Sequence, residues 1–156
     1  MPDPEHPVVP LLAKAGGDSA LLEARAVLSP LPLDCPPAKA EVRVGKIFRL
    51  AESDPPTSQD FMSYYVLYPN RQWKKHELCE SHGLSVQLSA EAALSQLKRI
   101  NARLKAAKLK LIVVADIDTH AGPIAQTFKY PDHHTWWPSF GFNFQSAFSA
   151  HENSTP

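Results

Sequence analysis

The feature that most restricts the fold is a helix-then-strand pair in the second half of the chain. Leu111-Ile112-Val113-Val114-Ala115 is an unbroken apolar run. A strand with one wet face alternates apolar and polar residues, so a run without alternation needs cover on both faces. Leu109 to Ile117 is therefore predicted to be a central strand. Just before it, Ala90, Ala93, Leu94, Leu97, Ile100 and Leu104 recur at helical spacing. This stripe predicts a helix from Ala90 to about Ala107, with Ser89 as its N-cap. Glu91 in the first turn, and Lys98, Arg99, Arg103, Lys105 and Lys108 toward the end, suit the helix dipole.

Other segments add strands around this pair. Val42 to Leu50 alternates, with Val42, Val44, Phe48 and Leu50 on one face and Arg43 and Arg49 on the other. Leu84 to Leu88 and Ile124 to Tyr130 read as further strands. Phe140, Phe142 and Phe144 alternate like a last strand over Phe140 to Phe148. Thr57 followed by Asp60 has capping-box spacing and predicts a helical turn after Pro55-Pro56. That turn runs to Tyr65 or Leu67, where Pro69-Asn70 breaks it. Arg71 to His82 is polar and shows no period. The expected fold is α+β: one domain over residues 41–148, with a small, mostly antiparallel sheet and one long helix.

The flanks differ in composition. Residues 1–40 hold eight of the fifteen prolines, so they read as a proline-rich arm with a short helix over about residues 18–28. Such an arm is a candidate for docking a protein partner. Residues 149–156 form a polar tail. Lys+Arg and Asp+Glu both number 16, so bulk charge draws the chain neither to nucleic acid nor to acidic membranes. No apolar stretch reaches the ~18 residues needed to cross a bilayer. The N-terminus lacks the basic start and apolar run of a signal peptide. Cys35 and Cys79 lack a CxxC spacing, so the expectation is two reduced thiols in a cytoplasmic protein.

Four short patches carry chemistry. Arg49, late on the first strand, is a bidentate clamp for a phosphate or carboxylate. Ser85, within Gly83-Leu84-Ser85-Val86, places a hydroxyl just ahead of a helix, and Gly83 leaves room for a ligand to approach the backbone. Pro55-Pro56-Thr57 with Asp60, Phe61 and Ser63 forms the third. His133-His134-Thr135-Trp136-Trp137 combines proton-transfer groups with flat indoles that can stack on a base or a nicotinamide. Asp116, Asp118, His120, Asp132, His133 and His134 also cluster in sequence. They match no ligand spacing such as HExxH, and adjacent histidines on a strand point to opposite faces. No metal is expected. There is no GxxxxGK[ST] loop, no GxGxxG and no GxSxG elbow.

In that order the patches resemble a family of short proteins found in bacteria and their mobile elements. The resemblance spans roughly residues 42 to 148. More loosely, an arginine late on the first strand, then a Gly-x-Ser strand running into an alanine-rich helix, is similar to ADP-ribosyltransferase-like toxin domains that consume NAD. That resemblance implies NAD as substrate, with no covalently bound cofactor. Arg49 would grip the phosphates, Ser85 would support the nicotinamide ribose, and Thr135 and Trp136 would cover the ring. One departure stands out. Such enzymes carry a glutamate on a late strand, whereas here no Glu lies between Glu91 and Glu152. His134 or His133 would then be the catalytic group. The alternative expectation is a non-enzymatic interaction or regulatory protein.

Overall fold

A computed structural model describes residues 30–103, 111–127 and 131–151. The expected helix at 18–28 and the first part of the arm lie outside them. In chain order the elements are β1 (Gly45–Ala51), a 3-10 turn (Ser58–Phe61), α1 (Tyr64–Leu67), α2 (Lys75–Ser81), β2 (Leu84–Val86), α3 (Ala90–Arg103), β3 (Leu111–Ile117), β4 (Ile124–Gln126), β5 (His134–Trp136), α4 (Phe144–Ala147) and β6 (Ser149–Ala150). The class is α+β.

There are two antiparallel sheets in place of the single one expected. One has the order β1-β3-β6 and the other β2-β5-β4. They join where Phe48 and Gln87 exchange backbone hydrogen bonds, each 2.8 Å. At the opposite edge, Ile124 of β4 pairs with Glu41, four residues before β1. The second sheet thus curls back onto the same stretch of chain at both edges. This curl sets Arg49, next to Phe48, against Ser85, two residues before Gln87.

β3 is the central strand of its sheet and is covered on both faces, as its continuous apolarity demands. Ile112 packs with Phe48, Ala93 and Leu97 under α3. Val113, Ala115 and Ile117 face a larger core that includes Ile47, Val86, Ile124 and Trp136. Ser89 caps α3 by accepting a hydrogen bond from the Ala92 amide at 3.1 Å. Leu97 is fully buried; burying a side chain of that size contributes ~2 kcal/mol. Beyond Arg103 the expected helix lies outside the described residues.

Three further expectations are corrected. Phe140 to Phe148 is not a strand. Asn143 accepts from the Ser146 amide at 3.2 Å and starts α4, while Gly141 turns the chain at φ +81°. The phenylalanine alternation serves a cluster instead: Phe142, Phe144 and Phe148 pack around Trp136. The domain does not end at 148 either, since Ser149 and Ala150 pair with Val114 and Val113. Finally, Cys35 and Cys79 are not free thiols but a disulfide across 44 residues. No local spacing announces it, because only folding brings the two Cα atoms to 5.5 Å. It removes the argument from cysteine usage to the cytoplasm and fastens the end of the arm to α2. Lys39 secures the same segment by donating to the Gln126 carbonyl at 3.0 Å. Among the described residues, no helix is long and apolar enough to cross a membrane.

Candidate functional site

The site begins with the Pro-Pro-Thr motif, which acts as a clamp. The Asp60 carboxylate accepts hydrogen bonds from the Glu52 amide, the Ser53 hydroxyl and the Thr57 amide, each at 2.9 Å. The Thr57–Asp60 capping box is present as expected. Phe61 anchors the turn in the core by stacking on Phe144 at 4.8 Å, and Ser63 caps α1. The clamp presents the Asp60 carbonyl to β1 and Tyr64 to a cavity.

Arg49 links three segments. Its Nε donates to the Asp60 carbonyl at 3.0 Å, and its Nη1 donates to the Ser85 carbonyl at 2.7 Å. Among the described residues its Nη2 makes no hydrogen bond. Burial lowers the Arg49 pKa from the usual guanidinium range to about 10, opposed by Tyr64 and the Asp60 carboxylate. The guanidinium stays charged at neutral pH, held against removal from water by two carbonyls. It is therefore a preorganised cation, not a solvated surface arginine.

Ser85 sits in the middle of β2, opposite Thr135. Its Oγ lies 2.8 Å from His133 Nε2. His133 Nδ1 lies 2.9 Å from Thr127 Oγ1, which in turn lies 2.8 Å from Thr135 Oγ1. Burial, and then the charge of His134, lower the His133 pKa below 6.5. The ring is neutral at pH 7, so one nitrogen accepts while the other donates. In the sense where Nε2 accepts, Ser85 gives its proton to the ring and keeps its lone pairs for a ligand.

Arg49, Ser85, His133 and Thr135 line one cavity of about 280 Å³. Its wall from Arg71 to Ser81 was the stretch without sequence period. It contributes Glu77 and Glu80 from α2, and Trp73, over which Arg71 stacks at 4.0 Å. Glu77 closes the start of α2 by accepting from the Lys74 amide at 3.3 Å. Among the described residues Glu80 makes no side-chain hydrogen bond, and the buried Trp73 Nε1 has no acceptor. Sequence reasoning missed these groups, along with Tyr64 and Thr127. A lone tryptophan in a polar stretch after Pro69-Asn70 is the one signal that could have marked the wall.

The other expected site residues sit elsewhere. Trp136 is fully buried and donates from Nε1 to the Ala121 carbonyl at 3.0 Å; it is core, not a cover for a ring. His134 faces the opposite side of the sheet, in a separate cavity with Lys39, Glu41 and Arg43. Gly83 does line the first cavity, but the space that a Cβ would take there is filled by the Thr135 side chain. Asp116 pairs with Lys46 at 3.1 Å and His120 with Asp118 at 3.5 Å. Among the described residues no three His, Cys, Asp or Glu gather to hold a metal ion.

No family model, no curated protein and no solved structure matches this chain. The functional reading stands on the geometry of the cavity.

Proposed function

We propose that this chain handles an NAD-type dinucleotide and breaks its nicotinamide–ribose bond, in the manner of a toxin-like ADP-ribosyltransferase or NAD glycohydrolase. The observation that carries the reading is the convergence of Arg49, Ser85 and His133 on one cavity with a carboxylate, Glu80, on its wall. Arg49 holds the diphosphate through the edge it does not spend on Asp60 and Ser85. Ser85, oriented by His133, takes a ribose hydroxyl. When the C1′–N bond breaks, the electron pair leaves with the nicotinamide and positive charge develops on the ribose. Glu80 stabilises that charge, the task of the absent late-strand glutamate. Water then adds to C1′ and loses its proton to Glu80 or, through Ser85, to His133.

The test is nicotinamide release from NAD by the purified chain, followed by chromatography. Expected is release that Arg49→Ala and Glu80→Gln each abolish. Absence of both NAD binding and release at millimolar NAD would overturn the reading.

The 2.8 Å contact between Ser85 Oγ and His133 Nε2 favours a second reading, a serine nucleophile in acyl transfer. Thr127 stands where a carboxylate would orient the imidazole, so the imidazolium would gain less support. Labelling of Ser85 by a fluorophosphonate, lost in His133→Asn, would select this reading; an unlabelled Ser85 would discard it.

A further inference from the structure

A second cavity of about 400 Å³ adjoins the first, and Arg49, Met62, Tyr64, Ser85 and Gln96 line both. Arg49 thus stands at the junction of two compartments. The first holds the reactive groups, Ser85 and His133. The second shares Ser85 but lacks His133. Tyr68, Leu67 and Ile100 give it flat and aliphatic surface, and Gln87 and Gln96 give it an amide pair.

The amide pair is unusual in its bonding. Gln87 is 2 % exposed, on the strand edge where β2 meets β1. Its Nε2 donates to Gln96 Oε1. Its buried Oε1 has no partner among the described residues. A buried amide oxygen left without a donor is unfavourable, so a ligand that supplies one gains by it. Gln96 Nε2 likewise makes no hydrogen bond among the described residues. The pair therefore offers one acceptor and one donor side by side, and turning both amides over exchanges the roles but keeps the set. An acceptor beside a donor matches a purine edge, which carries an amine next to a ring nitrogen.

We infer that the site is bipartite, with Arg49 at the diphosphate, the reacting ring in the Ser85 compartment, and the adenine of the dinucleotide in the second cavity against Tyr68 and the Gln87–Gln96 pair. This rests on the dinucleotide reading above and makes it more specific. A mononucleotide would leave the second cavity empty.

Isothermal titration of the full chain with ADP and with inorganic diphosphate tests it, because the two probes differ by the adenosine alone. Expected is ADP binding at least ~10-fold tighter than diphosphate, as one well-paired polar contact and one stacked ring would give. Gln96→Leu and Tyr68→Ala should each shrink that margin severalfold. Tyr68 is half-exposed, so its variant keeps the test open if Gln96→Leu fails to fold. Equal affinity for the two probes, or a margin untouched in both folded variants, overturns the inference. Nicotinamide release separates it from the parent reading. A Gln96-dependent ADP margin without release leaves the base cavity standing and removes the cleavage. Release from NAD and from nicotinamide mononucleotide at equal rates, with no ADP margin, does the reverse.

Discussion

His133 and His134 are neighbours in sequence and strangers in space. His134 opens β5 and His133 immediately precedes it, and the chain there sends the two rings to different cavities, as adjacent residues of an extended segment go. His133 bonds at both ring nitrogens, to Ser85 and Thr127. His134 keeps a buried Nδ1 with no partner among the described residues, between Lys39 and Arg43. The difference teaches that residue type and burial do not make a site here. Both rings have lowered pKa values, yet only His133 shares its cavity with a buried guanidinium and with a hydroxyl, that of Ser85, which bonds its ring. Arg43 is an exposed residue two positions before β1, whereas Arg49 is held by two carbonyls.

The largest effect should come from the cation that distinguishes the two sides. Arg49→Ala should lower kcat/KM for NAD cleavage by ~10³-fold, since it removes both phosphate binding and a positioned charge. Arg49→Lys keeps the charge but cannot reach both the Asp60 and Ser85 carbonyls, so it should recover only part of the loss. Arg43→Ala, on the other side, should change kcat/KM by less than about threefold. If Arg43→Ala does the greater damage, the functional cavity has been assigned to the wrong face.

Replacing each histidine with asparagine should give the next contrast. His133→Asn should cost ~10²-fold in kcat, the scale of a lost acid–base or positioning group. His134→Asn should leave kcat within about twofold. Equal losses would mean that both rings act through the fold of β5 rather than through chemistry; thermal melts of the two variants decide between these.

How much of this was legible in the sequence depends on whether the signal was periodic. Ser89, the α3 stripe and the apolar run of β3 were readable because one-dimensional spacing alone forces their packing. The Thr57–Asp60 box was readable because both partners lie three residues apart. The opposed histidines were readable from the period of a strand. Glu80 was not, because α2 is a short polar helix whose role depends on what it roofs. Trp136 read as a stacking surface because a tryptophan in a turn-rich segment carries no mark of burial; its place in the core comes from Phe142, Phe144 and Phe148 closing around it. The phenylalanine alternation misled for the same reason, since an aromatic cluster and a strand can share one pattern. The cysteine pair is the extreme case, being fixed by tertiary structure alone.

That disulfide also ties the two sides together. Cys79 lies on α2 beside Glu80, which lines the Ser85 cavity, and Cys35 leads into Lys39 and Glu41, which line the His134 cavity. Trp137 adds a second tie by donating from Nε1 to the Cys79 carbonyl at 3.0 Å. Reduction, or the double variant Cys35→Ser with Cys79→Ser, should cost ~2–4 kcal/mol of stability. Chemical denaturation with and without a reducing agent measures it. A stability unchanged by reduction would mean that the segment before β1 holds its place by Glu41 and Lys39 alone.

The smallest effect, and the finest comparison of the two rings, is in pH dependence. For His133, burial and then the charge of His134 lower the pKa below 6.5. For His134, burial lowers it most, the Asp132 carbonyl opposes, Arg43 lowers it further and the Asp132 carboxylate opposes again. In each case the unfolded chain takes up its proton at a higher pH than the folded chain. Stability is therefore full above about pH 6.5 and declines as the pH falls below it, until the lowered native pKa is passed. Both rings contribute, so His134→Asn should reduce the slope below pH 6.5 without abolishing it. The activity profile should respond differently, because proton transfer at Ser85 needs His133 neutral. Its acid limb, lying below pH 6.5, should persist in His134→Asn and move to higher pH, because the variant removes the smaller of the two causes that lower the His133 pKa. Urea melts and kcat/KM from pH 8 down to pH 5 on the same two proteins give both answers. An acid limb lost altogether in His134→Asn would assign the proton transfer to His134 and dissolve the distinction between the rings.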